Sequence, residues 1–151
     1  IVGLVLSFHI AGMFAFSPVF GWLTDRLGRR PVIVAGFALL LGACALAGSA
    51  GQRQAALAGG LMMLGLGWSA TMVAGSTLLS ESVSGELRAS AQGLADLTMG
   101  LAGASAGAIS GVIVEAWGYP TLTGLAAIAT APLMLLVSVS KNPRGDPHSS
   151  S

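Results

Sequence analysis

Charge is scarce in this chain. Asp, Glu, Lys and Arg make up 9% of its 151 residues, against about 25% in an average soluble domain. That scarcity argues against a soluble globular fold. Hydrophobic residues at 54% exclude intrinsic disorder, which needs low hydrophobicity and high charge. The net charge is +1, so there is no basic field to attract nucleic acid. A lone cysteine, Cys44, allows neither a disulfide framework nor a cysteine-based zinc site. Two histidines, His9 and His148, make no metal-ligand cluster. No phosphate-binding loop is present, and no cofactor is expected.

Long apolar runs are what the chain does have. A spanning helix needs about 20 mostly apolar residues, and five stretches qualify: 1–24, 31–52, 54–80, 89–114 and 116–140. Barrel strands alternate over about 10 residues; these runs are longer and do not alternate. The sequence thus predicts an all-α, polytopic transmembrane bundle of five helices. Ile1 opens without a basic region and no cleavage site leads into a soluble domain, so a secretory signal is not expected. The missing Met is read as the mark of a piece cut from a longer chain. Arg26, Arg29, Arg30, Arg88, Lys141 and Arg144 fall on one side of the spans, and Arg53 alone on the other. Basic loops stay in the cytoplasm, so the Arg26 loop and the tail 141–151 are expected there. The tail is polar and read as disordered.

The loop Gly21-Trp-Leu-Thr-Asp25-Arg26-Leu-Gly28-Arg29-Arg30-Pro31 holds the densest signal. Gly21 leaves room for a backbone to approach, Gly28 can take a positive φ, and Pro31 suits the start of the next helix. Physically this is a tight turn with stop-transfer arginines. Its spacing also resembles the loop motif G-x-L-a-D-r-x-G-r-k of the major facilitator superfamily of transporters. Gly21, Leu23, Asp25, Arg26, Gly28, Arg29 and Arg30 match without a gap; Thr24 and Arg30 are mild departures. Downstream, Glu81, Arg88 and Gly93 resemble that family's later loop frame, with Ser84 and Ala89 departing from it. The resemblance covers about residues 1–140.

The resemblance implies alternating access between two six-helix halves, a small-molecule substrate, a proton as coupling ion, and a place in the plasma membrane. It implies a gate in which Asp25 meets a helix N-terminus of the opposite half and pairs with Arg29. The chain would be helices eight to twelve or two to six. The short polar tail, and the lack of a Gly-Pro pair in the fourth span, favour eight to twelve, with the N-terminal half of the same chain missing. The few charges lean towards efflux of drugs or metabolites. The alternative is a non-transporting relative that acts in assembly or sensing.

Three residues stand out inside the spans. Ionisable groups at membrane depth usually face a bundle interior, which singles out His9 and Asp96. His9 either lines a cavity and titrates or sits neutral and hydrogen-bonded in the bundle. Asp96 either carries a proton or cation or bonds a neighbouring helix. Trp68, mid-span, either lines a substrate cavity with Thr71, Met72 and Gly75 or simply packs. At 100° per residue, Gly93, Gly100, Gly103, Gly107 and Gly111 share one face with Asp96, a smooth surface for helix packing. Pro18 removes a backbone bond to Phe14 and is expected to kink span one. Gly103-Ala-Ser105-Ala-Gly107 matches a serine-hydrolase elbow, but that motif needs a strand-to-helix turn and here it lies in mid-helix, so no enzyme is expected.

Overall fold

The computed structural model describes residues 2–51 and 53–139; the tail 141–151, with Lys141, Arg144 and His148, lies outside the described residues. The order is α1 (Val2–Phe14), α2 (Ser17–Leu27), α3 (Arg29–Gly48), α4 (Gln54–Ser82), a single 3-10 turn (Gly85–Leu87), α5 (Arg88–Trp117) and α6 (Tyr119–Val139). There is no strand among the described residues. Five helices are long and apolar enough to cross a membrane: Leu6–Leu27, Arg29–Gly48, Gln54–Ser82, Gly85–Trp117 and Tyr119–Val139.

Helix ends follow backbone chemistry more closely than charge. Glycine lacks a Cβ, takes positive φ without strain, and so ends helices. Gly28 at φ 92° ends α2, and its N–H bonds the Thr24 carbonyl at 3.0 Å. Asp25 and Arg26, placed by charge in a loop, therefore sit on the last helical turn. Gly118 at φ 80° ends α5, with its N–H on the Val114 carbonyl at 3.0 Å. Glu115, which the charge pattern put at the break, lies inside α5. Pro18 acts as expected: span one breaks between Phe14 and Ser17, and the proline enters the first turn of α2.

The centre of the bundle is α4, which packs against α1, α2, α3 and α5. Its sequence explains why. Gly60, Gly65, Gly67, Ser69, Ala70 and Ala74 are all buried, and small residues let apolar helices come close enough for dispersion contacts. A Cβ added at Gly67 would lie 2.9 Å from the Gly36 carbonyl oxygen of α3. One at Gly12 of α1 would lie 2.9 Å from the Met62 carbonyl oxygen, and one at Gly65 would strike the His9 carbonyl. Below these crossings Val32, Ile33, Ala70 and Ala74 form the core, flanked by Phe20, Leu23, Phe37, Leu78 and Val137.

The break in span one is tied to this centre. Ser17 Oγ donates to the Met13 carbonyl at 3.0 Å and lies 3.0 Å from Ser69 Oγ, which is fully buried. A hydroxyl has one proton. Ser17 spends its proton on Met13, so Ser69 is the donor between the two.

The α5 glycine face meets no neighbour within this chain. Gly93, Gly100, Gly103, Gly107 and Gly111 have nothing within 4 Å of an added Cβ, and no residue of α5 is buried. The small-residue surface that packs within this chain is on α4. Its glycines are less evenly spaced but lie on a helix with four neighbours.

Candidate gate and membrane cavity

At one end of the bundle the α2–α3 turn meets the end of α4. Arg29, the first residue of α3, makes an ion pair with Glu81, one residue before the end of α4. The two side chains are 22% and 33% exposed. This joins the two stretches that resemble family loops. Within this chain the partner of Arg29 is Glu81, while Asp25 is exposed and has no partner among the described residues; the opposite-half helix that the motif implies for Asp25 lies outside this chain. The residue buried at this point of α2 is Thr24, which bonds the Phe20 carbonyl at 2.7 Å. The glutamate stood in the sequence as part of the downstream motif. No local pattern links it to an arginine 52 positions away.

The other motif residues have separate places. Arg26 lies over the Trp22 ring, 4.6 Å from its centre, a cation–π contact. Gly21 has nothing within 4 Å of an added Cβ, so the close backbone approach expected there does not occur within this chain. Arg30 lines a groove beside Pro31. Arg88 donates from Nε to the Ser80 carbonyl at 2.7 Å, which satisfies one of the free carbonyls near the α4 C-terminus.

Inside the span, Asp96 and the Thr71 face come together. Thr71, Met72, Gly75, Ser76 and Leu79 of α4 face Gln92, Asp96 and Met99 of α5 across a cavity of about 170 Å³. Gln92 Nε2 donates to Asp96 Oδ1 at 3.2 Å and lies 3.4 Å from Ser76 Oγ. The cavity thus has one carboxylate held by an amide, hydroxyls on the opposite wall, and thioether sides. Trp68 is not part of it. Its ring meets Phe14 edge-on, with centroids 6.1 Å apart at 61°, the geometry aromatic pairs favour. Gln92 went unmarked in the sequence, although its spacing of one turn from Asp96 puts the two on one helix face.

His9 is at a different level. Its Nδ1 lies 3.0 Å from the Leu61 carbonyl. A carbonyl only accepts, so Nδ1 carries the proton in this contact and Nε2 keeps the free position. Leu61 and Ser76 are about 22 Å apart along α4 at 1.5 Å per residue. The bundle therefore does not bring His9 and Asp96 together. Among the described residues, no group of three His, Cys, Asp or Glu side chains could hold a metal ion.

The profile of the Major Facilitator Superfamily matches residues 1–151. The chain is 38% identical over 141 residues to the uncharacterized MFS-type transporter YdeG of Bacillus subtilis (strain 168), covering 93% of this chain and 33% of that protein. It is 36% identical over 137 residues to the uncharacterized MFS-type transporter YddS of the same organism, covering 90% and 31%. It is 34% identical over 108 residues to the multidrug resistance protein fnx1 of Schizosaccharomyces pombe, covering 71% and 20%. The chain spans about a third of the length of these two bacterial relatives. No solved structure matches it at a significant level.

Proposed function

This chain belongs to the major facilitator superfamily, and on that premise we propose that the protein containing it is a secondary transporter working by alternating access. In this reading the chain supplies helices eight to twelve, and the N-terminal half of the same polypeptide supplies the other wall of the substrate path. The Arg26 loop and the tail face the cytoplasm of a cell whose plasma membrane the protein crosses. The carrying observation is the Arg29–Glu81 ion pair, which draws two motif-bearing loops together at one end of the bundle. A transporter needs such an end to close and reopen; a membrane protein that only assembles or senses does not.

The finer reading concerns what moves and what drives it. Asp96 is the proposed coupling group. It is a carboxylate on a spanning helix beside a cavity, with an amide to hold its ionised form and hydroxyls across from it. A proton is the coupling ion, because protonation lets the carboxylate cross an apolar path without its charge. His9 has a free ring nitrogen but no carboxylate near it, and serves as a packing and hydrogen-bonding residue of the α1–α4 contact. The substrate is a small amphipathic molecule and the direction is export. The apolar and thioether lining of the cavity and the name of the yeast relative support that choice. No catalysis is proposed.

Impermeant maleimide labelling tests the reading without knowledge of the substrate. A cysteine replacing Met72 in a Cys44-free, full-length background is expected to label from the cytoplasm and, separately, from outside. Labelling from one side only would mean a cavity that does not alternate, and the transport reading would fall.

A further inference from the structure

The cavity between α4 and α5 gathers more oxygen than a proton needs. Gln92 Nε2 lies 3.2 Å from Asp96 Oδ1 and 3.4 Å from Ser76 Oγ. One amide end thus sits between a carboxylate of its own helix and a hydroxyl of the neighbouring helix. An amide carries a donor at one end and an acceptor at the other. Turned over about its last side-chain bond, Gln92 places Oε1 where Nε2 stands. Three oxygens from two helices then border one small space. We propose that this space binds a sodium ion, held by Asp96, Gln92 and Ser76. The consequence for transport rests on the reading of Asp96 as the coupling group: a carboxylate oxygen that holds sodium cannot hold the coupling proton, so the two ions exclude each other.

Spacing, charge and room all fit that ion. A hard cation of calcium's size holds oxygen ligands at about 2.3–2.6 Å, so two ligands at right angles lie about 3.3–3.7 Å apart. Sodium has nearly the same radius. The gaps at Gln92, 3.2 and 3.4 Å, are close to that separation, and the larger potassium ion needs wider ones. The lining has one carboxylate and no basic side chain. One sodium neutralises that carboxylate, whereas a divalent ion leaves a net charge in a mostly apolar setting, which is costly. The other ligands are neutral amide and hydroxyl oxygens, not the nitrogen or sulfur that transition metals favour. Thr71, on the same wall, spends its hydroxyl proton on the Gly67 and Trp68 carbonyls at 2.9 and 3.0 Å, which leaves its oxygen as an acceptor. The cavity of about 170 Å³ has room for the ion and several waters, each with a share of about 30 Å³ in the liquid, to fill the remaining ligand positions. Asp96 is exposed, so an ion has a way in. Gln92 serves both states: its N–H end holds the carboxylate when the site is empty, and its oxygen end joins the ion when it is filled.

Equilibrium binding of radiolabelled sodium to the purified full-length protein, at fixed pH and ionic strength, tests this. Wild type is expected to hold one sodium per chain, displaced by unlabelled sodium chloride and far less effectively by potassium or choline chloride. Asp96→Asn should abolish binding. Ser76→Ala and Gln92→Leu should each weaken it by at least about tenfold, the scale reached even by outer partners of metal ligands. Gln92→Glu, which keeps an oxygen at the same reach, should retain it. Glu115→Gln, on the same helix but outside the cavity, should bind as wild type does. No sodium on wild type, equal displacement by potassium, or sodium retained by Asp96→Asn overturns the proposal. The coupling reading fails or stands separately. Sodium held by wild type and lost in Asp96→Asn upholds the ion site even where gradient-driven transport survives that substitution. No sodium on wild type, together with loss of such transport in Asp96→Asn, overturns the ion site and leaves coupling in place.

Discussion

Breaking the Arg29–Glu81 pair should loosen the gate, and unequally from its two sides. Exposed ion pairs contribute about 0.2–1 kcal/mol, and removing one partner of a fully buried pair costs about 3–5 kcal/mol. Side chains 22% and 33% exposed lie between these limits. A coupling of about 1–2 kcal/mol follows, and about 1.4 kcal/mol is a tenfold change in an equilibrium. The two single substitutions should differ because Arg29 Nε is buried without a hydrogen-bond partner. Glu81→Gln leaves a half-buried cation with one orphan donor already, whereas Arg29→Gln leaves a more exposed carboxylate that water can reach. In the full-length, Cys44-free protein with a cysteine at Met72, maleimide labelling from the cytoplasm reports the open population. Glu81→Gln should raise the rate about tenfold and Arg29→Gln about fivefold, with the double variant no faster than Glu81→Gln alone. The exchanged pair, Arg29→Glu with Glu81→Arg, should recover part of the wild-type rate. If the effects of the two single changes multiply in the double variant, the residues act independently and the ion pair holds nothing closed.

Four further outcomes are expected. Asp25→Asn should insert normally yet label faster from the cytoplasm, by up to about tenfold, if Asp25 meets a helix N-terminus of the opposite half as the family motif implies, a contact that contributes about 0.3–2 kcal/mol; wild-type labelling would reduce Asp25 to a surface residue. Asp96→Asn should abolish substrate transport driven by a pH gradient in everted vesicles of the full-length protein while substrate exchange persists, and normal gradient-driven transport would remove Asp96 from coupling. Gly67→Ala should destabilise the folded protein by about 1–3 kcal/mol, because its Cβ would sit 2.9 Å from the Gly36 carbonyl oxygen, which cannot swing away; an unchanged melting temperature would mean the α3–α4 crossing is looser than described. Single cysteines at Leu27 and Asn142 should label from the cytoplasm and one at position 52 from outside, and the reverse pattern would invert the proposed orientation.

Some of this protein is decided by composition and spacing. Five apolar runs of spanning length, separated by charges and glycines, leave a helical bundle as the one arrangement that satisfies every backbone group without water. The gapless loop from Gly21 to Arg30 is likewise local, and so is Pro18, whose missing N–H breaks span one wherever the helix goes next. Other features depend on which helices meet. The wheel of α5 puts five glycines and Asp96 on one face, but a wheel cannot tell whether a neighbour stands there; in this chain none meets those glycines. Burial fell instead to α4, whose glycines become contacts because α1 and α3 cross them. The pairing of Arg29 with Glu81, over 52 residues, exists because α4 returns to the end where α2 turns into α3, and charge alone would have given Arg29 to the nearer Asp25. Gln92 bonds Asp96 by helical periodicity, which the sequence contains. That the pair faces Thr71, Met72 and Ser76 across a cavity is set by how α5 leans on α4, and only the folded chain contains that.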